Sequence, residues 1–200
     1  MSAMDLAMAT IKKEHRALSA VMEALQRLLA AVAAQHAEPD FTLFSAALYY
    51  IDDFPERCHH PKEDEHLFKA LRRRTTEFDA LLDELQAEHI HSARMMARLH
   101  CALVHYQGGA SKGLQAFHAA VDAYGAILSE HMRKEEGLLE RARDKLTEED
   151  WSNIASAFSV NDDPLFGDAR RVEFRKLYFR IRNLLPSKIR ASTHHPGHGQ

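Results

Sequence analysis

Long stretches of apolar side chains at helical spacing are the feature that most constrains how this chain folds. From about residue 4 to 36, apolar residues recur every three or four positions and no glycine or proline interrupts them. Further amphipathic stretches follow at about 41–74, 75–108 and 111–145, with short connections between them. The sequence lacks the alternating pattern of strands. Long helices with short connections pack best as antiparallel neighbours, so the sequence predicts an all-α, antiparallel up-and-down four-helix bundle.

Two prolines interrupt the second of these stretches. Pro55 and Pro61 each lack the backbone N–H that an α-helix uses, and each ring clashes with the carbonyl group one turn earlier. We therefore expect a kink at this point, or a helix that ends and restarts.

The pattern changes after Leu146. Thr147, followed by three acidic residues and Trp151, is typical of the capped start of a short helix. Residues from about 168 to 189 combine apolar and basic side chains at helical spacing, which predicts a second short helix with a solvated basic face. A dimer contact, an acidic partner or an anionic surface are alternative roles for that face. The predicted organisation is a bundle over 1–146, a helical extension packed on it over 147–190, and a flexible tail over 191–200.

Composition indicates an ordinary globular protein. The 200 residues are 46% hydrophobic and 28% charged, and the formal net charge of −3 favours neither nucleic acid nor a membrane surface as partner. The N-terminus does not resemble a signal peptide, and the longest apolar run is too short to span a bilayer. Two cysteines make no disulfide framework, which favours a reducing compartment. We expect a cytoplasmic monomer or homodimer.

The chemistry of the chain is concentrated in a repeated histidine–glutamate pair. His59 and Glu63 are four residues apart on the second predicted helix, and His131 and Glu135 are four apart on the fourth. Four residues make about one helical turn, so each pair projects an imidazole and a carboxylate from one face. One such pair alone is typical of a surface ion pair. Its repetition on two helices, each time followed by an acid and an apolar pair, favours a metal site instead.

The other two long helices each add one histidine to this set. His15 and His89 lie on the apolar faces of the first and third predicted helices, so all four helices direct a histidine toward the core. A second register, with His60 and Asp64 as the pair on the second helix, remains open. We take His59 and Glu63 as the ligands, because they repeat the His-x-x-x-Glu spacing of His131 and Glu135 on the fourth helix. The predicted metal ligands are His15, His59, Glu63, His89, His131 and Glu135.

The four motifs together resemble the hemerythrin-like, or HHE cation-binding, family. The resemblance rests on EHRAL around His15, CHHPKEDEHLF around His59, AEHIHS around His89 and HMRKEEGLL around His131. It implies two iron ions per chain with carboxylate bridges and an oxo or hydroxo bridge. It also implies oxygen binding, sensing of oxygen or nitric oxide, or iron handling. The segments LTEEDW, DPLFG and FRKLYFRIRNLLP resemble the C-terminal extension of a bacterial subgroup.

A count of coordination positions indicates a departure from the oxygen-carrying members. Of twelve positions on two six-coordinate irons, the histidines fill four, the two bridging glutamates four and the bridging oxygen two. Those members supply a fifth histidine four residues from the one on the third helix, but Ala93 and Leu85 stand four residues from His89 here. Water or substrate then occupies the extra position, or a neighbouring side chain does, with His60, Tyr49, Tyr50 and His66 as candidates.

Three functional hypotheses follow. The first is a non-catalytic protein that binds oxygen, nitric oxide or iron for sensing, storage or scavenging. The second is a di-iron oxidoreductase acting on oxygen, peroxide or nitric oxide. In the third, the metal stabilises the fold and the basic C-terminal helix binds a partner. Imidazole and carboxylate ligands also suit zinc and manganese. Three glutamates that precede predicted ligands, Glu14, Glu88 and Glu130, are assigned no role.

Overall fold

The computed structural model describes residues 1–160 together with Asp163 and Phe179. These residues form five helices and no strand, which confirms the all-α class. None of the described helices combines the length and apolarity needed to cross a bilayer. The predicted basic helix at 168–189, apart from Phe179, and the tail at 191–200 lie outside the described residues. The helices are α1 (Ala3–Ala33), α2 (residues 41–74), α3 (Asp79–Gln107), α4 (Gly113–Ala142) and α5 (Glu148–Ser159).

Helix α2 remains helical past both prolines, but its turns change width. It is α-helical over Phe41–Phe54, π-helical over Pro55–His59, α-helical over His60–Lys62, π-helical over Glu63–Phe68 and α-helical over Lys69–Arg74. A π-turn bonds each N–H to the carbonyl group five residues earlier. The N–H of His60 accordingly donates to the carbonyl of Pro55. The chain therefore accommodates its prolines by widening turns, without ending the helix.

The four long helices pack as a ring in which α1 contacts α2 and α4, and α3 contacts the same two helices. Their apolar side chains form two separate clusters. We call them the upper cluster (within 18–32, 43–54, 96–103 and 117–132) and the lower cluster (within 7–11, 67–71, 78–85 and 138–142, with α5). Along the chain, α1 and α3 pass from the lower cluster to the upper one, whereas α2 and α4 pass the opposite way. Successive helices are therefore antiparallel.

Helix α5 covers the lower cluster by packing against α1. It begins with a capping box, as predicted, because the Thr147 hydroxyl accepts from the N–H of Asp150 while the Asp150 carboxylate accepts from the N–H of Thr147. Trp151 and Phe158 are buried in the cluster. The same Asp150 carboxylate accepts a hydrogen bond from Arg74 at the end of α2, 2.8 Å away, so α5 is joined to the bundle by packing and by charge.

Candidate metal centre

A single layer of buried polar residues lies between the two apolar clusters. On α1 it falls between Ile11 of the lower cluster and Leu18 of the upper cluster, and the other three long helices cross it at the same level. Buried charge is costly in an apolar core unless it meets opposite charge or a metal ion. Seven side chains of this layer are buried and face one another: His15, His59, His60, Glu63, His89, His131 and Glu135. All six residues predicted from the sequence are among them.

One half of this layer is the His15 cluster, which comprises His15, His59, Glu63 and Glu135. The Nε2 atoms of His15 and His59 are 3.0 Å apart. Glu135 Oε2 lies 3.3 Å from His15 Nε2, and Glu63 Oε1 lies 3.3 Å from His59 Nε2. One ligand atom from each residue falls within 4.8 Å of the others, so the four atoms surround one point.

The other half is the His89 cluster, which comprises His60, His89 and His131, again with one ring nitrogen of each within 4.8 Å of the others. Glu135 Oε1 lies 3.0 Å from His131 Nε2 and 3.5 Å from His89 Nε2. Glu63 Oε2 lies 3.7 Å from His89 Nε2. The carboxylates of the first cluster therefore also face the second.

Glu63 and Glu135 each direct one oxygen toward each cluster. Glu63 faces the His15 cluster with Oε1 and the His89 cluster with Oε2. Glu135 faces the His15 cluster with Oε2 and the His89 cluster with Oε1. Both side chains are fully buried, and none of their four oxygens accepts a hydrogen bond. Buried carboxylate oxygens without donors are rare, because the lost hydration costs several kcal/mol unless a cation replaces it.

The separations of the imidazole nitrogens also fit a metal. Two ligands at right angles, each about 2.1 Å from a first-row ion, lie about 3.0 Å apart. The 3.0 Å between His15 Nε2 and His59 Nε2 matches that spacing. The donor set therefore fits a cation in each cluster by its chemistry, and in the His15 cluster also by this spacing.

Outer carboxylates orient the histidine rings. Glu14 Oε2 lies 2.7 Å from His59 Nδ1, and Glu88 Oε2 lies 2.8 Å from His131 Nδ1. Each of these glutamates thus serves the histidine of a neighbouring helix, not the histidine next to it in sequence. A carboxylate on the free ring N–H holds the ring in place and makes the other nitrogen a better ligand. Glu130 instead pairs with exposed Arg133 and has no such role.

The remaining ligand histidines follow the same rule at longer range. His15 Nδ1 is 3.4 Å from Glu136, and His89 Nδ1 is 3.4 Å from Asp64. Asp64 is partly exposed and faces the outer edge of His89, while Glu63 faces the centre. In the register left open by the sequence, Glu63 is therefore the inward carboxylate.

The carboxylates control the protonation of these histidines in the absence of metal. Burial alone would lower the pKa of His15, but Glu135 and Glu63 outweigh it and raise the pKa to about 9. Burial would also lower the pKa of His89, but the carboxylates of Asp64 and Glu135 outweigh it and raise this pKa to about 10. A metal ion must displace these protons, so metal uptake releases protons.

Glu135 and His60 shift in the directions that suit metal ligands. Burial would raise the pKa of Glu135, but the neighbouring imidazoles, that of His131 first among them, bring it well below its ordinary value. Burial and the positive charge of His89 bring the pKa of His60 well below its usual range. Glu135 is thus an anion and His60 a neutral imidazole, the forms in which each binds metal.

The predicted ligand set did not contain His60, which was named as the histidine of the second register and as one candidate for the extra coordination position. Its ring stacks on that of His89 with 4.0 Å between centroids, and the side chain is buried. The other neighbours lie elsewhere: Tyr49 and His66 are exposed, and the Tyr50 hydroxyl donates to Asp163 at 2.9 Å. The available signal was the His59–His60 doublet followed by Pro61, where a wider helical turn brings both rings inward.

The fold and these buried histidines and glutamates define a class: a helical-bundle protein that binds cations. Comparison with protein families supports this class: residues 6–142 match the model of the hemerythrin HHE cation binding domain. The match covers well over half of the chain, and the chain belongs to this family. No curated protein and no solved structure matches the chain. The matched region ends with α4, so α5 lies beyond it.

Proposed function

We propose that this protein holds two iron ions, one in the His15 cluster and one in the His89 cluster. In this proposal Glu63 and Glu135 bridge the two ions, together with an oxo or hydroxo group. The supporting observation is that each carboxylate directs one oxygen to each cluster and that all four oxygens lack hydrogen-bond donors. The assigned ligands are those predicted from sequence: His15, His59, Glu63, His89, His131 and Glu135.

The proposed role is to bind oxygen, nitric oxide or iron itself, in sensing, storage or scavenging. A di-iron centre supplies reversible redox change and open positions for small ligands. The protein residues hold and insulate it: two apolar clusters enclose the centre above and below, and outer carboxylates such as Glu14 and Glu88 orient the histidines. This enclosure favours small uncharged ligands over bulky substrates.

Metal analysis tests the centre. Protein produced with iron supplied is expected to contain about two irons per chain. The Glu63→Ala variant is expected to lose both, because its two oxygens face both clusters. Glu65→Ala is the matched control, since Glu65 lies two residues away on the same π-helical segment but is exposed and paired with Lys69. Less than about one metal per chain, or full iron content in Glu63→Ala, would contradict the proposal.

Gas binding tests the role. The anaerobic di-ferrous protein is mixed with oxygen or nitric oxide, and its absorption spectrum is followed through cycles of addition and removal. A stable spectral change that reverses on removal of the gas supports a binding protein. Rapid irreversible oxidation, with catalytic consumption of oxygen, peroxide or nitric oxide when reductant is supplied, supports the oxidoreductase instead.

We further propose that the bundle ends at residue 146 and that an extension begins at residue 147, of which α5 packs on the bundle. The match to the family ends with α4, and α5 buries Trp151 and Phe158 against the lower cluster. The ring of Phe158 also meets that of His59 edge to face at 5.9 Å, so the extension contacts the proposed centre directly.

A further inference from the structure

His60 lies beside the proposed di-iron centre but is not among its six assigned ligands, and a role for it rests on that proposed centre. His60 is 5% exposed, and one of its ring nitrogens lies within 4.8 Å of ligand nitrogens of His89 and His131. A buried imidazole this close to two other buried imidazoles is not explained as an ordinary core residue.

The π-helical turns of α2 explain how two consecutive histidines reach one centre. On an α-helix adjacent residues point about 100° apart, so only one of His59 and His60 would face inward. The segment Pro55–His59 is π-helical, and a second π-helical segment, Glu63–Phe68, follows after the three α-helical residues His60–Lys62. His59 thereby joins the His15 cluster while His60 joins the His89 cluster. Such turns occur most often at functional sites.

His60 has a carboxylate beside Nδ1, as the other four histidines of the layer do. In each of those four, Nδ1 faces a carboxylate at 2.7 to 3.4 Å and Nε2 faces the bridging glutamates. His60 Nδ1 faces Glu56 Oε1 at 3.5 Å. With Nδ1 directed at a carboxylate, Nε2 is left for a metal, as in the other four rings.

We propose that His60 is a third histidine ligand of the iron in the His89 cluster. Five histidines, two bridging glutamates and one bridging oxygen then fill eleven of twelve positions. The iron of the His89 cluster is saturated. The single open position belongs to the iron beside His15 and His59, so this is where an external ligand binds.

Azide titration of the di-ferric protein tests this assignment. The wild type is expected to bind one azide per chain, and His60→Ala is expected to bind one more because it opens a position on the second iron. The His60→Ala spectrum is also expected to return to that of the wild type when imidazole is added. The cavity of about 20 Å³ beside the ring, enlarged by the deleted side chain, provides room for imidazole. His66→Ala, an exposed histidine on the same helix, is the matched control and is expected to behave as wild type.

The outcomes separate this inference from the di-iron proposal. Fewer than two irons in the wild type would contradict the proposed centre itself. With two irons present, His60 is not a ligand if the wild type binds two azides. It is also not a ligand if His60→Ala keeps both irons, binds no more azide than the wild type and shows the same spectrum. Should His60→Ala fail to fold, the azide stoichiometry of the wild type still decides.

Discussion

Replacement of Glu14 tests whether the outer carboxylates tune the centre. Glu14 is 5% exposed, and its Oε2 lies 2.7 Å from Nδ1 of His59, a short charge-assisted hydrogen bond. Glu14→Gln keeps the size and an acceptor oxygen but removes the charge. Glu14→Ala removes the partner altogether. Because the free ring N–H of His59 then has a weaker partner or none, its Nε2 becomes a poorer metal ligand.

The expected magnitude follows from similar outer-shell changes, which weaken metal binding by about 10- to 100-fold. We place Glu14→Gln near the lower limit, about 1.4 kcal/mol, and Glu14→Ala near the upper, about 2.7 kcal/mol. The loss is expected for the metal of the His15 cluster, because Glu14 Oε2 lies 2.7 Å from Nδ1 of His59, a member of that cluster. Iron affinity is measured anaerobically by competition with a chelator of known affinity.

Glu130→Gln is the matched control. Glu130 precedes His131 as Glu14 precedes His15, but it is exposed and pairs with Arg133. If Glu14→Gln and Glu130→Gln bind both irons with the same affinity, the outer carboxylate has no tuning role. Equal weakening of both irons by Glu14→Gln would likewise refute the argument that its effect passes through His59.

Three further predictions concern stability, measured by urea unfolding of the metal-free protein. Phe158→Ala is expected to cost about 3–5 kcal/mol, because the fully buried ring joins α5 to the lower cluster; a loss below 1 kcal/mol would mean that α5 is not docked. Folding lowers the pKa of Asp150 to about 2, so its contribution is present above pH 4 and fades as pH falls toward 2. Asp150→Asn should therefore lower the free energy of unfolding by about 1–2 kcal/mol at pH 7, because solvent around the exposed Arg74 side chain weakens the ion pair, and by less below pH 4. A difference in unfolding free energy that does not change with pH would refute this. A Cβ on Gly113 would lie 2.6 Å from the Tyr106 backbone, so Gly113→Ala should destabilise by about 1–3 kcal/mol, whereas Gly137→Ala, with open space, should not.

The helices were predictable because an amphipathic helix is specified locally. Apolar spacing predicted a second helix over 41–74, and the structure has these same ends. The pairs His59–Glu63 and His131–Glu135 were predictable for the same reason, since residues four apart share a face on a single helix. Inward direction of His15 and His89 followed from apolar neighbours on their own helices.

Features that depend on two elements were not predictable in this way. The π-turns of α2 are defined by the carbonyl group to which each backbone N–H donates, and the spacing of apolar residues does not indicate this pairing. His60 was omitted for this reason. Glu14 and Glu88 were assigned no role because each lies beside a histidine in sequence but acts on a histidine of the next helix. Sequence adjacency does not identify the partner of such a glutamate, since adjacent helical residues diverge by about 100°.

The polar layer connects the features of single helices with those that depend on contacts between helices. Each long helix crosses the layer once, between the upper and lower clusters, so a shift of any helix by one turn would move a buried carboxylate or imidazole into apolar surroundings. That shift would cost several kcal/mol for an unpaired charge. The histidines and glutamates therefore set the register of the bundle as well as the ligand geometry. Because Glu63 and Glu135 together face histidines from all four helices, the donor set of the proposed metal centre is complete only when all four helices are in this register.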